Sequence, residues 1–402
     1  MPAVCFYFQV HQPFRVKRYS VFDIGGNHEY FDDDTESNRN NRRIIEKVAA
    51  KCYRSANATI LELLRRHPEF KVSYSMSGVF LEQLKRYCPD VLASFQALAA
   101  TGRAEFLSET YYHSLASLYD ENEFSEQVLQ HRRLIEQLFG VRPTVFRNTE
   151  LIYSNEIAAM VRRMGFKGML AEGADHILDW RSPNFVYGAK DGDEKFGLLL
   201  KNYRLSDDIA FRFSSRGWSE WPLTAPKFAK WVNEVNGNGV TVNLFMDYET
   251  FGEHQWAETG IFDFLRALPA EILRHPDNAF ATPSEVLAAH RPVGRIDVPY
   301  PMSWADVERD LSAWRGNRMQ DTALESIYRL GAEVRASGDK GLLDDWRKLQ
   351  TSDHFYYMCT KWFADGDVHK YFNPYESPYD AFIHYMNSLQ DVTMRTKGGV
   401  HA

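Results

Sequence analysis

Two carboxylates carry the chemistry this sequence best supports, Glu150 in the run VFRNTE and Asp247 in NLFMDYETFGEH. Breaking a glycosidic bond needs one carboxylate to attack the anomeric carbon and one carboxyl to protonate the leaving oxygen. A retaining enzyme holds that pair about 5 to 5.5 Å apart. Arg147 lies one helical turn before Glu150, and contact between their side chains predicts a depressed pKa and an ionised nucleophile. Leu244, Phe245 and Met246 precede Asp247 and Glu249 follows it. Desolvation and like charge both raise a carboxyl pKa, which suits a proton donor. Taken alone, either residue reads more simply as a helix cap or a surface ion pair. The case rests on both standing at the ends of strand-like runs.

The histidines offer a second chemistry. His11, His113, His254 and His354 each fall near such an end, and together they could hold a metal ion that activates water. The chain has no HxH, HExxH or paired aspartates at metal-ligand spacing, and neutral imidazole serves sugar hydroxyls as both donor and acceptor. Sugar contact is therefore the reading, with no metal and no cofactor expected. Asp32, Asp33 and Asp34 are adjacent and converge poorly on one calcium ion, so the polar stretch from Asn27 to Asn41 reads as a solvated insertion or rim loop. Nothing resembles GxSxG, a phosphate-binding loop or GxGxxG in context, so acyl, phosphoryl and hydride transfer lack support.

Positioning these groups requires a scaffold whose strand ends converge. Up to about residue 290, short apolar runs alternate with longer amphipathic segments, the pattern of a parallel sheet with crossover helices. The runs begin at Val4, Lys71, Arg103, Thr144, Phe166, Gly197 and Thr241. Seven strands suffice for a (β/α) barrel, whose active site lies at the carboxyl rim. His11, Gln12, Ser77, Glu109, Glu150, Glu172 and Asp247 all fall at those ends. Beyond Pro292 the strand-like runs cease, and 306–336, 341–361 and 379–396 read as helices. The expected division is a barrel over 1–292 and a helical unit over 293–402.

Bulk properties narrow the partners. A formal charge of −7 and the lack of a long Lys/Arg run argue against nucleic acid, and no stretch approaches transmembrane length. Four cysteines without CxxC spacing imply buried thiols, and the N-terminus lacks signal-peptide character, so a cytoplasmic protein is expected. The aromatic content of 14% suits stacking on a pyranose face.

Longer stretches add a family likeness. FQVHQPF, GRAEFLSETYYHSL, FRNTELIYSNEIA, FMDYETFGEH, SWADVERDLSAWRGNRMQ and TSDHFYYMCTKWFADGDVHKYFNPY run from His11 to Tyr375. In order and spacing, the chain resembles the α-amylase type of glycoside hydrolase family 57. The resemblance implies an incomplete (β/α)7 barrel followed by a C-terminal helical bundle, and a metal-independent retaining mechanism on α-1,4-glucans. It places the nucleophile at Glu150 and the acid/base at Asp247. It implies sugar contacts from His11, Glu109 and His113, stacking from Trp218 and Trp221, and contributions from Trp304, Asp353, His354 and Tyr356 of the helical unit, while Gln12, Arg147, Glu249 and His254 are further substrate-binding candidates from their places near the strand ends. A 4-α-glucanotransferase would use the same site. A metal-dependent carbohydrate deacetylase and a non-catalytic glucan-binding protein are the alternatives of other classes, and oligomeric state is left open.

Overall fold

A computed structural model describes residues 2–32, 35, 38–192, 195–361 and 368–398. Its strands are β1 (Ala3–Val10), β2 (Val72–Met76), β3 (Ala104–Phe106), β4 (Val145–Arg147), β5 (Gly168–Glu172), β6 (Tyr187–Ala189), β7 (Gly197–Lys201), β8 (Thr241–Asp247), β9 (Ala279–Phe280) and β10 (Arg295–Ile296). They form two sheets, one ordered β3-β2-β1-β8 with β9 against β1, the other β10-β6-β7-β5-β4. All pairings are parallel except β6 with β7. The seven expected strands are thus β1 to β5, β7 and β8.

The two sheets meet at two seams without a continuous ladder. At one, Ser108 bridges to Phe146. At the other, Asn202 N–H donates to Asn243 O (2.9 Å) and Asn243 Nδ2 donates to Leu200 O (2.8 Å). Alternation along β1 shows what the strands enclose. Cys5 and Tyr7 join Val145, Leu170, Leu199 and Phe245 in one inner cluster, while Val4, Phe6, Phe8 and Val10 pack outward against helices.

Helices cover the outer faces. Asn41–Val48 and Arg54–Arg66 are helical and are joined by one wider turn at Ala49–Tyr53. The helix Glu121–Phe139 starts at an Asp120 cap and stops at Gly140, whose φ of 70° ends it. From Ser312 onward the described residues are helical segments, and Trp314, Leu324, Trp346 and Tyr385 share one core cluster with Met169, Ala171, Leu198 and Leu200 of β5 and β7. Among the described residues, no helix is long and apolar enough to cross a membrane.

Three expectations are corrected. Strands do not cease at Pro292, since Arg295–Ile296 pairs with β6. A two-residue strand has no periodicity to read. The helix expected from Asp306 begins only at Ser312, because Asp306 and Arg309 both hold φ of 54°, which no right-handed helix accommodates. The expected segment 341–361 is also two shorter helices, Lys340–Lys348 and Ser352–Tyr356. Asp33 and Asp34, named for a calcium site, and Trp362–Asp367 of the last matching stretch lie outside the described residues.

Candidate active site

β4 ends at Arg147, and the next turn sets Glu150. Glu150 and Leu151 take φ of 56° and 52°, a region costing roughly 1–3 kcal/mol for residues other than glycine. The surroundings enforce it. Asn148 Nδ2 donates to Ile152 O (2.9 Å), the Thr149 and Thr110 hydroxyls pair at 2.9 Å, and Trp304 N–H donates to Glu150 O (3.2 Å). The carboxylate then receives Trp304 Nε1–H on Oε2 (2.8 Å) and the Ser352 hydroxyl on Oε1 (3.1 Å). Burial pushes its pKa up, but the His113 hydrogen bond and charge, helped by Arg147, bring it below the ordinary value. Glu150 is ionised.

His113 stands between two carboxylates. Its Nδ1 lies 2.9 Å from Glu109 Oε2 and its Nε2 3.4 Å from Glu150 Oε1. Burial disfavours its charge, yet both carboxylates outweigh that and raise it to about 9. Glu109 is wholly buried and also accepts from Gln9 Nε2 (3.2 Å). Burial raises its pKa less than His113 lowers it, leaving it at about 2. His11 behaves oppositely: burial and the His113 charge lower it, while Nδ1 meets Ser77 Oγ (2.6 Å) and Nε2 meets Asp353 Oδ2 (3.0 Å). Ser77 also caps the helix Gly78–Tyr87. Gly78 is required there, since a Cβ would sit 2.5 Å from the Tyr111 ring.

Asp247 closes β8, in register with Gln9. Burial, then the charge of Glu150, raises its pKa to about 6. Glu249 is raised further, to about 8, by burial and by Asp247, and it accepts a hydrogen bond from the Tyr53 hydroxyl. Asp247 therefore ionises first, and Glu249 remains a neutral carboxyl beside it. The expected repulsion falls on Glu249, not on Asp247.

Glu150, His113, His11, Asp247 and Glu249 line one cavity of about 440 Å³, together with Gln12, His254, Trp304, Asp353 and Tyr356. The helix Ser352–Tyr356 is stitched to the His113 turn by Ser352 N–H to His113 O (2.9 Å) and Thr351 Oγ1–H to Tyr112 O (2.8 Å). That stitching delivers Ser352 and Asp353 to the site.

Other candidates sit elsewhere. Glu109 lies behind His113. Arg147 makes no ion pair with Glu150: its guanidinium lies 4.8 Å over the Trp304 ring, and no hydrogen-bond partner for its three nitrogens is found among the described residues. It acts on Glu150 by charge through space. His354 turns away to Lys348 O (3.1 Å) and the Phe31 ring. Trp218 packs against Trp231, and Trp221 is 44% exposed; neither lines the cavity. A run of polar letters between strands does not say which side of its helix an indole takes.

Sequence reading missed several residues that line the cavity or touch its carboxylates. Lys201 at the end of β7 pairs with Asp207 (3.0 Å), and Arg309 reaches Glu172 (3.7 Å) and Asp207 (3.6 Å). Lys201 stood at a strand end like the others and was legible by that rule. Arg309 and Ser352 depend on how the C-terminal segments fold back, for which no local signal exists. Among the described residues, no group of three or more His, Cys, Asp or Glu side chains is arranged to hold a metal ion.

A parallel α/β scaffold with paired carboxylates of opposed protonation in one cavity is the arrangement of a glycoside hydrolase. The model of glycosyl hydrolase family 57 matches residues 5–299, and the chain belongs to that family. A Methanocaldococcus jannaschii protein named "Putative alpha-amylase" is 44% identical over 399 residues, covering 96% of this chain and 83% of its own. The fold is similar to a branching enzyme of the family from Thermococcus kodakaraensis, with a TM-score of 0.68 at 14% identity over 96% of this chain and 88% of that one. It is also similar to an alpha-amylase of Thermotoga maritima, with a TM-score of 0.63 at 12% identity over 99% and 94%.

Proposed function

We propose that this glycoside hydrolase cleaves α-1,4-glucans with retention, through a glucosyl-enzyme ester. Glu150 is the nucleophile and Asp247 the general acid/base. The observation that carries the reading is their opposed protonation: within one cavity, Glu150 is held ionised while Asp247 keeps its proton up to a pKa of about 6. In the first step Asp247 protonates the glycosidic oxygen as Glu150 attacks the anomeric carbon, forming the ester and releasing the leaving chain. In the second, Asp247 takes a proton from water, whose oxygen displaces Glu150. Once the ester forms, Glu150 carries no charge, so the Asp247 pKa falls and its carboxyl stands ionised, ready to take the proton in the second step.

The substrate class is supported by the family, by the name of the 44% identical relative and by the lining of indole, imidazole and carboxyl groups. The two sheets and the C-terminal helices are read as the incomplete (β/α)7 barrel and the helical bundle, with the strand Arg295–Ile296 carrying the barrel a few residues past the expected boundary at 292. Four buried free thiols support a reducing, cytoplasmic setting.

Incubating wild type and Glu150→Gln with maltoheptaose and excess EDTA, and resolving products over time, tests the proposal. Shorter products from wild type alone support it, and products longer than the substrate identify a 4-α-glucanotransferase on the same residues. Cleavage by wild type without EDTA that is lost on adding it would instead show a metal-dependent reaction and overturn the two-carboxylate mechanism.

A further inference from the structure

Outside the catalytic cavity the structure has a second concavity, about 720 Å³ in volume, on the other side of the segment after β7. Neighbouring residues divide between the two. Lys201 and Asp207 line the cavity, while Asn202, Tyr203 and Asp208 line the groove. The wall is thin, since the Arg309 guanidinium of the cavity lies 5.2 Å over the Tyr203 ring.

Three indoles face this groove: Trp180, Trp218 and Trp231. Trp218 and Trp231 meet edge-on, ring centres 6.1 Å apart and 66° from parallel, and are half-buried. Trp180 is 87% exposed. A single exposed tryptophan is unremarkable, but this one stands on a built turn. Asp179 before it holds φ 56° and ψ −118°, a region L-residues avoid. Asp179 N–H donates to Asp175 O (2.8 Å), and the Arg181 guanidinium ties down Ile177 O (2.5 Å), Leu178 O (3.0 Å) and Arg295 O (3.1 Å). The indole is thereby presented to solvent on a pinned backbone, so a ligand that stacks on it orders little further chain. Nothing in the catalytic reading uses it.

The polar groups among the rings are mainly carboxylates and amides, Asp179, Glu220 and Asn238 among them, and the acids outnumber the two guanidiniums, Arg181 and Arg204. Acidic edges disfavour nucleic acid and other anions. Ring faces with hydrogen-bonding edges between them suit an uncharged polyhydroxylated ring. The geometry points to a second carbohydrate site, in which Trp180, Trp218 and Trp231 hold a stretch of α-glucan one wall away from the catalytic cavity. This rests on the α-glucan reading above for its ligand class. Because the groove adjoins the cavity, it serves long chains: a polymer held there is delivered to Glu150 and Asp247, while a short oligosaccharide reaches the cavity without it.

The test is native electrophoresis through gels with and without glycogen, using wild type, Trp180→Ala, Trp180→Phe and Glu150→Gln, beside kinetics on maltoheptaose and glycogen. Wild type and Glu150→Gln are expected to be retarded by glycogen. Trp180→Ala weakens that retention about 10-fold, the scale of one lost stacking contact, and Trp180→Phe restores part of it. Trp180→Ala raises KM for glycogen and leaves kcat/KM for maltoheptaose unchanged. If wild type cleaves maltoheptaose but Trp180→Ala is retarded as strongly as wild type, the groove proposal fails and the catalytic reading stands. If wild type neither cleaves maltoheptaose nor is retarded, the α-glucan reading fails and takes the groove with it.

Discussion

His11 and His113 lie ring over ring, centres 4.0 Å apart and 20° from parallel, yet they hold opposite charge states. His113 is a cation because Glu109 and Glu150 flank it, and His11 is neutral because burial and that adjacent cation both oppose its protonation. The stack sets the site's polarity. A positive ring faces Glu150, and behind it a neutral ring links Ser77 to Asp353.

The pH dependence follows from the two carboxylates. The proposed mechanism requires Glu150 ionised, so activity is expected to be lost as pH falls through a pKa below the ordinary glutamate value. It also requires Asp247 protonated, so activity is expected to be lost as pH rises through about 6. A plot of kcat/KM on maltoheptaose against pH is expected to be a bell with an acidic optimum and an upper limb near 6. A profile flat to pH 8 removes Asp247 as the proton donor.

His113→Gln tests the clamp on Glu150. Without the cation, Glu150 becomes easier to protonate, and the acidic limb of the same bell moves up. Glu109 is left buried with only Gln9 as partner, and breaking such a buried pair costs about 3–5 kcal/mol, which thermal unfolding would register. The pH window can be stated. Glu109 at about 2 contributes stability present above its ordinary 4.5 and lost as pH falls toward 2. His113 at about 9 contributes stability present below its ordinary 6.5 and lost as pH rises through 9. The wild-type Tm is therefore expected to plateau between roughly 4.5 and 6.5, and His113→Gln to narrow the difference between plateau and flanks.

Glu150, Asp247, His11 and Glu109 were legible because each stands at the end of a strand whose apolar run announces it, and strand ends converge. Trp304 and Asp353 were legible only through the family likeness, since no local pattern says that a segment 150 or more residues downstream folds back to a strand end. Trp218 and Trp221 show the limit of composition. An indole near a rim reads as a stacking platform whichever wall it takes, and Trp218 took the outer one. The φ-positive turns at His113, Glu150, Asp306 and Arg309 had no glycine to mark them. Their strain is imposed by tertiary contacts, so propensity could not foresee it.

Trp304→Phe isolates one hydrogen bond. The ring keeps its place over Arg147, but Glu150 Oε2 loses the indole N–H at 2.8 Å. A hydrogen bond to a charged group is worth about 1.5–3 kcal/mol, so kcat/KM should fall roughly 10- to 100-fold, with the acidic limb displaced upward and the fold intact. An unchanged acidic limb would show that the indole serves only as a stacking surface for sugar.

Arg147→Met gives the sharpest separation between charge and packing. The guanidinium is wholly buried, and its three nitrogens have no hydrogen-bond partner among the described residues. Removing such a group for a flexible apolar chain of similar length is often neutral or stabilising. Its charge, however, lowers the pKa of both Glu150 and Asp247. Losing it should raise both together, so the bell moves to higher pH as a unit, whereas His113→Gln moves the limb of Glu150, to which it is hydrogen-bonded, more than that of Asp247, on which it acts by charge alone. Thermal unfolding and the pH profile of kcat/KM, measured on the same preparation, decide the matter. A variant of unchanged or higher Tm with both limbs displaced upward makes Arg147 an electrostatic positioning residue. A large loss of Tm with unmoved limbs makes it a structural prop under Trp304 instead.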